Sequence, residues 1–433
     1  MIPEFEYEYV SYEELYRAYL DCRKRKRMTH NALQLEIDEN INLYKLWKDL
    51  NYMRYEVGKS IVFCVDKPVK REVFAADFRD RIVHHLIINR INSILEDEFI
   101  ENSYSCRVGK GTDYGIVQCK RYIEEASDNY NKNCYIVKCD LKSFFMTINK
   151  QKLYEKLINF IHDKYKVKDE RDYIFMEYII KLIVFNEPQN NCVMKQGWEH
   201  WDDLPKSKSL FFCENGFGIP IGNLTSQIFA NFYLSEFDHY ITETLGIKYY
   251  GRYVDDFFII TENKDESLKI IKLCRNKLAS MGVTLHPHKL YIQPVSKGVK
   301  FIGAVIKKNR VYISNRTKGN FFWKMKQFSE YIDYLNRNGR EPSYSEIEHF
   351  VTSVNSYLGF MVHYKTYNIR KKILLSELML KWQKYCYYDS NLKKLTIFSE
   401  YTRYKGKKHH MESNWYYGNE MDRITYLEIL RSH

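Results

Sequence analysis

Three carboxylates of this chain interrupt or close hydrophobic runs. YIVKCD ends on Asp140, and YYGRYVDDFFII sets Asp255 and Asp256 between two apolar and aromatic stretches. The first run reads as a buried strand and the second as a hairpin with the acids at its tip. Carboxylates gathered without a counter-charge raise one another's pKa and cost stability. Two divalent cations remove that repulsion, and the same pair clamps the attacking and leaving oxygens of an in-line phosphoryl displacement. Asp140, Asp255 and Asp256 are therefore the expected ligands of two Mg²⁺ ions, with Mn²⁺ able to substitute. Taken alone, an Asp-Asp pair in a hairpin is more often a turn favoured by local side-chain hydrogen bonds. Whether the strand ending at Asp140 lies beside that hairpin separates the two readings.

The elements that must position these acids are legible from pattern. Residues 11–56 read as mostly helical, opened by a capping box of Ser11 and Glu14. SIVFCVDKPVKREVFA (60–75) reads as two strands around a Lys67-Pro68 turn. Asp77 is the expected N-cap of a helix to Leu95, with Ile82, Leu86, Ile87 and Ile91 on its apolar face. A polar loop (103–112), a strand (134–141), helix over 150–185, an irregular stretch (187–216) and one helix over 223–243 follow. After the hairpin come an amphipathic helix (265–281) and short strands at 284–293, 298–306 and 311–313. From 315 the chain reads as helical with scattered Lys and Arg, then as a basic, Tyr-rich tail.

Composition limits the class. The 433 residues suit two or three subdomains around a cleft, and 45% hydrophobic residues suffice for a core. Lys and Arg exceed Asp and Glu by 67 to 55, a net charge of +12 that suits a polyanion. Most of the 38 Tyr and 25 Phe are assigned to the core, with base stacking as a second use. The ten cysteines form no CxxC pair and no zinc-ligand spacing. The N-terminus has no secretory signal pattern and no apolar run approaches a membrane span, so a reducing, cytoplasmic setting is expected. GKGT (109–112) is not a phosphate-binding P-loop, because the upstream glycine and preceding buried strand are missing.

The order of motifs resembles that of reverse transcriptases. DLKSFF at Asp140, GIPIGNLTSQ (218–227), YVDD (253–256), HPHKL (286–290) and FIGAVI (301–306) follow in that family's sequence, and the likeness covers roughly residues 10–390. The finer resemblance is to enzymes of diversity-generating retroelements, within the group II intron-like bacterial reverse transcriptases. It rests on the Gly-Asn-x-x-Ser-Gln stretch after Pro220, on REVFAADFRDRIVHHL and SYSCRVGKGTDYG, and on VNSYLGFMVHYKTYNIRKKIL. The resemblance implies an α+β right-hand polymerase with fingers, an RRM-like palm of antiparallel sheet and helices, and a helical thumb. The expected divisions are 1–130 (N-terminal extension and fingers), 131–314 (palm with interleaved fingers helices), 315–387 (thumb) and 388–433 (tail). The residues after 387 are too few for an RNase H domain, so none is expected in this sequence.

The resemblance also implies residue roles. The Leu141 carbonyl completes a metal sphere beside the three aspartates. Phe145 is the steric gate that excludes a ribose 2′-OH. Arg71 and Lys67 hold the triphosphate, with Lys70 a weaker candidate. Ile221 stands where many relatives carry a polar side chain, which implies low fidelity opposite template adenine. Gly222 lets backbone approach the nucleotide, and Gln227 lies near it. Asn223 touches nucleic acid or caps its helix. Arg107 and Lys110 hold template backbone, Lys289 protonates the departing pyrophosphate, and Phe301 and Gly303 form the primer grip. Lys324, Lys326 and Arg370 to Lys372 would face a duplex, whereas Asp77, Arg79, Asp80 and Arg81 read as structural ion pairs. The implied partners are template RNA, cDNA or primer, dNTPs and a small basic oligomeric accessory protein, in a bacterial or phage-encoded system. A group II intron or retron-type enzyme is the alternative, although an HNH-like His/Cys cluster and the retron Val-Thr-Gly are missing. A non-catalytic RNA-binding or defence module on the same fold is the third reading, and the intact acids argue against it.

Overall fold

The computed structural model describes residues 5–24, 29–66, 69–166 and 169–402. The chain forms two compact units that meet in sequence between Pro294 and Val295. In the first, α1 (Tyr12–Arg23), α2 (His30–Ile37) and α3 (Glu39–Asn51) precede a hairpin of β1 (Ser60–Val65) and β2 (Arg71–Ala75). Next come α4 (Phe78–Glu98), α5 (Thr112–Ala126), β3 (Tyr135–Asp140), α6 (Phe144–Thr147), α7 (Lys150–Lys164), α8 (Glu170–Val184) and β4 (Cys192–Met194). The unit closes with α9 (Leu224–Tyr233), α10 (Ser235–His239), β5 (Tyr250–Tyr253), β6 (Asp256–Thr261), α11 (Lys264–Ser280) and β7 (Tyr291–Pro294).

Its central sheet has the strand order β5-β6-β3-β7, with every pair antiparallel. β3 lies inside, so Ile136, Val137 and Cys139 are buried, while α11 packs on β3, β6 and β7 and α5 on β5 and β6. This antiparallel sheet with helices against it is the arrangement that the resemblance implied for a palm. Asp77 does cap α4 through the Arg79 amide at 2.9 Å, and Ile82, Leu86, Ile87 and Ile91 are all fully buried.

Three local expectations are corrected. Only half of the capping box forms: the Ser11 hydroxyl accepts from the Glu14 amide, but the Glu14 carboxylate pairs with Arg90 at 2.5 Å. The stretch 223–243 is not one helix. α9 ends near Leu234, and a wide turn over Tyr240–Thr244 follows α10. The Ser235 hydroxyl donates to the Phe232 carbonyl at 2.8 Å, which competes with the helical ladder at the break. Within 187–216, β4 adds to β1 in parallel and extends the β1–β2 hairpin to three strands.

The second unit starts with the antiparallel strands β8 (Val299–Phe301), β9 (Ala304–Lys307) and β10 (Arg310–Ile313). α12 (Asn315–Arg337), α13 (Tyr344–Met361), α14 (Tyr367–Leu374) and α15 (Glu377–Leu380) follow. Ser343 and Glu346 make a complete capping box on α13, and Phe350 stacks on Trp382 with ring centroids 4.1 Å apart. A hairpin of β11 (Cys386–Tyr388) and β12 (Leu395–Ile397) occupies what pattern alone assigned to the start of the tail. KGKKHH lies outside the described residues. None of the ten cysteines is in a disulfide, and no helix among the described residues is long and apolar enough to cross a membrane.

Candidate active site

The register of β3 against β6 sets Asp140 directly opposite Asp256. Residues opposed across an antiparallel pair have Cβ atoms about 4.5–5.5 Å apart, so the two carboxyls are neighbours. Past the ends of the strands, the Leu141 amide donates to the Asp255 carbonyl at 3.1 Å. The end of β3 is held on its other side as well: the His286 amide donates to the Asp140 carbonyl at 2.7 Å, and the Lys142 amide to the Thr284 carbonyl at 2.8 Å. Asp255 and Asp256 thus sit at a hairpin tip docked beside Asp140.

Electrostatics at the tip follow from this crowding. Burial pushes the Asp256 carboxyl up to about 6; Asp255 and Asp140 add to the rise, and Lys138 opposes it. The Asp255 carboxyl is also raised, first by burial and then by Asp140, with Lys289 and Arg71 pulling the other way. Lys289 Nζ stands 3.0 Å from both Asp140 oxygens. Lys138 Nζ stands 2.8 Å from Asp256 Oδ1.

Three hard oxygen donors on rigid strand ends are of the type that suits divalent cations such as Mg²⁺. Among the described residues no three His, Cys, Asp or Glu side chains converge closely enough to ligate a single ion. The acids stand as neighbours whose compensating charge comes from Lys138 and Lys289. Leu141 is buried beside them and bridges to Leu285.

A profile of the family "Reverse transcriptase (RNA-dependent DNA polymerase)" matches residues 69–306, more than half of the chain, and spans all three aspartates. The chain belongs to the reverse transcriptase family. Among solved structures, apo telomerase from Candida tropicalis truncated from its C-terminal domain is similar, with a TM-score of 0.43 and 15% identity over 60% of this chain and 55% of that one. Telomerase from Candida albicans in complex with a TWJ fragment of telomeric RNA gives a TM-score of 0.42 and 10% identity, over 76% of this chain and 63% of that one. The chain therefore spans 55% and 63% of the length of these two telomerases. Comparison with curated protein sequences gave no match.

Around the acids, this reverse transcriptase groups some expected residues and disperses others. Phe145 and Ile221 are both half-buried against one apolar cluster that includes Val62, Phe74, Met146 and Trp201. The Phe74 amide donates to the Ile221 carbonyl at 2.8 Å, and the Ile219 amide to the Phe145 carbonyl at 3.0 Å. Arg71 is exposed at the start of β2, forms no ion pair among the described residues, and its charge is felt at Asp255. Lys70 Nζ is 3.9 Å from Asp203, and Lys67 lies outside the described residues. Gln227 is exposed on α9 and accepts from Cys106 Sγ at 3.2 Å.

Several of the expected residues have partners within the chain itself. Gly222 has φ 126°, and a Cβ there would come within 2.8 Å of Val73 Cγ1 and 2.9 Å of the Phe74 carbonyl oxygen. Its missing side chain makes room for β2. Asn223 does not cap α9 with its side chain; it is buried and accepts from the Ala76 amide at 3.2 Å. Arg107 is a structural cation, bound to Glu96 at 2.8 Å and to the Ile100 carbonyl at 2.6 Å. Lys110 likewise holds Glu101, at 2.6 Å to its carbonyl and 2.9 Å to its carboxylate. In both cases the loop after α4 uses the charge to satisfy its own backbone, and little remains to meet a phosphate. Arg370 is buried on the Asn391 and Leu392 carbonyls at 2.9 and 2.6 Å. In the second unit, Phe301 is buried and Gly303 takes φ 79° next to Phe360.

Sequence reasoning overlooked Lys138 and Arg252. The signal was available: each is a lone cation in its strand, two or three residues before one of the candidate acids. In β3, the two-residue period puts Lys138 on the face of Asp140.

Proposed function

We propose that this chain is an RNA-directed DNA polymerase making cDNA from a retroelement template RNA, of the diversity-generating type. The observation that carries the polymerase reading is Asp140 standing in register opposite Asp256, with Asp255 beside them at the hairpin tip. Asp140, Asp255 and Asp256, with the Leu141 carbonyl, would hold two Mg²⁺ ions. When bound, such ions activate the primer hydroxyl and neutralise charge on the triphosphate.

The chain's own residues do the rest. Strands β3 and β6 deliver the acids rigidly, which sets ligand spacing before substrate arrives. Arg71, with no ion pair among the described residues and electrostatically close to Asp255, offers its guanidinium to the triphosphate. Phe145 shapes the sugar end of the pocket and excludes a 2′-hydroxyl. Lys289, whose Nζ stands 3.0 Å from both Asp140 oxygens, donates a proton to the departing pyrophosphate. Ile221 presents an aliphatic surface where a polar side chain would penalise a misaligned base pair. A missing polar contact is worth about 1–3 kcal/mol, enough to raise misincorporation noticeably. Template RNA, primer and dNTPs are the substrates, and a small basic oligomeric accessory protein is the proposed partner.

Primer extension on poly(rA)/oligo(dT) with Mg²⁺ tests the polymerase reading: the parent extends and Asp255→Ala does not. Equal activity in both chains removes it. For the finer reading, Ile221→Gln lowers errors opposite template adenine; unchanged error rates there refute the mutagenic role.

A further inference from the structure

A hairpin tip carrying two acids has to be held from outside its own two strands. Val254, the residue before Asp255, has φ 55°, a left-handed conformation that a β-branched residue adopts only when its surroundings impose it. Both backbone polar groups of Val254 are occupied by side chains. Its amide donates to Ser105 Oγ at 3.1 Å, and its carbonyl accepts from Arg252 Nη1 at 2.9 Å.

Neither of those side chains is free to turn. Ser105 is buried; its hydroxyl donates to Asn231 Oδ1 at 2.9 Å, and its carbonyl accepts from Asn231 Nδ2 at 2.8 Å. Arg252 is wholly buried and forks onto Asp238, with Nε to Oδ1 at 2.7 Å and Nη2 to Oδ2 at 2.5 Å. The loop from Asn102 to Ser105 also runs along β5. The Arg252 amide donates to the Asn102 carbonyl at 2.9 Å, and the Tyr104 amide to the Arg252 carbonyl at 2.9 Å. Replacing a buried ion pair by apolar residues is often neutral for stability, so a buried Arg252–Asp238 pair is not by itself a source of stability.

We propose that Ser105, Asn231, Asp238 and Arg252 are positioning residues that impose the left-handed Val254 turn. They thereby fix the spacing of Asp255 and Asp256 from Asp140 for divalent cations. The SYSC segment at 103–106 acts as the clamp of the catalytic hairpin. Without the clamp, Val254 relaxes to negative φ, the Asp255 peptide rotates, and the acids lose their common spacing.

The inference deepens the polymerase reading, and its test separates the two. Three full-length chains are compared: the parent, Ser105→Ala, and Ser105→Ala combined with Val254→Asn. Asparagine tolerates positive φ without help. Two quantities are read: Mn²⁺ binding, from the electron paramagnetic resonance signal of free Mn²⁺ up to millimolar concentration, and the Mg²⁺ concentration for half-maximal primer extension. Ser105→Ala weakens both by about five- to tenfold, the loss expected for one hydrogen bond, with the circular dichroism of the parent retained. Val254→Asn restores both, which a merely structural role of Ser105 would not predict. Parent-like Mn²⁺ binding in Ser105→Ala overturns the inference, as does failure of Val254→Asn to rescue, or a parent that binds no Mn²⁺. If the parent binds Mn²⁺ but extends no primer, the polymerase reading falls, and the binding comparison still decides the clamp.

Discussion

Glu72 offers a direct test of how the segment 187–216 is held behind Ile221. It is buried on β2, and its carboxylate accepts from Trp201 Nε1 at 2.7 Å, from Ser209 Oγ at 2.7 Å and from the Leu210 amide at 2.6 Å. Hydrogen bonds to a charged group contribute about 1.5–3 kcal/mol each, and the desolvation of a buried carboxylate offsets part of that sum. Truncation by Glu72→Ala leaves three buried donors unsatisfied and should cost about 3–5 kcal/mol, the range for breaking a buried charged network. Glu72→Gln keeps the volume and one acceptor oxygen. An amide oriented to serve Trp201 and Ser209 sets its NH₂ against the Leu210 amide, for a loss of about 2 kcal/mol. Because the Leu210 amide is itself a partner, hydrogen exchange over residues 205–215 reads the network locally. A 2 kcal/mol loss should speed exchange there by roughly 30-fold while α4 keeps its protection. Unchanged protection at Leu210 in Glu72→Gln would show that the carboxylate does not staple this segment.

Three further outcomes follow from the same geometry. Burial pushes Asp80 up to about 6, against hydrogen bonds from Tyr55 and Gly58. The folded chain therefore holds that proton more tightly than the unfolded one. Its stabilising effect is complete below pH 4, fades by roughly 3 kcal/mol as pH rises to 6, and is flat above. Urea midpoints against pH should show this slope reduced in Asp80→Asn, and parallel curves would contradict the assignment. Gly222→Ala forces a Cβ onto Val73 and Phe74 at positive φ and should destabilise the first unit by about 3 kcal/mol, read from chemical unfolding; a neutral result would mean that β2 yields. Arg370→Met should lower stability by about 2 kcal/mol and leave the salt dependence of nucleic-acid binding unaltered. A shallower salt slope would return Arg370 to the phosphate-contacting set.

Strand and helix identities at the centre were readable because apolar runs and acids interrupting them have only one economical arrangement. YIVKCD and YVDD announced a buried strand and a hairpin, and β3, β5 and β6 form there. The capping assignment for Asp77 and the apolar face of α4 were equally local. The break after α9 turns on one local Ser235–Phe232 hydrogen bond, and the β11–β12 hairpin on two three-residue strands too short to show a period, so neither was visible; the strand β4 was hidden because its partner is far away in sequence. β4 exists only through its pairing with β1, and an isolated three-residue run carries too little pattern to declare itself.

For the site, residue types alone singled out Asp140, Asp255 and Asp256, since charge interrupting hydrophobic strands is a local property; the strand register is what sets Asp140 opposite Asp256. What only the tertiary structure decided is where the cations of the chain go. Arg107, Lys110 and Arg370 look like phosphate ligands in sequence, yet each is consumed by nearby carbonyls or carboxylates. Lys138, Ser105 and Arg252 look incidental, yet pairing of β3 with β6 and docking of the 102–105 loop on β5 bring them to the hairpin that carries Asp255 and Asp256. The physical reason is the same in both directions. A charge or hydroxyl acts on whatever the folded backbone leaves it to bond, whether a loop that folds back on itself, as around Arg107 and Lys110, or a distant segment, as at Ser105 and Val254.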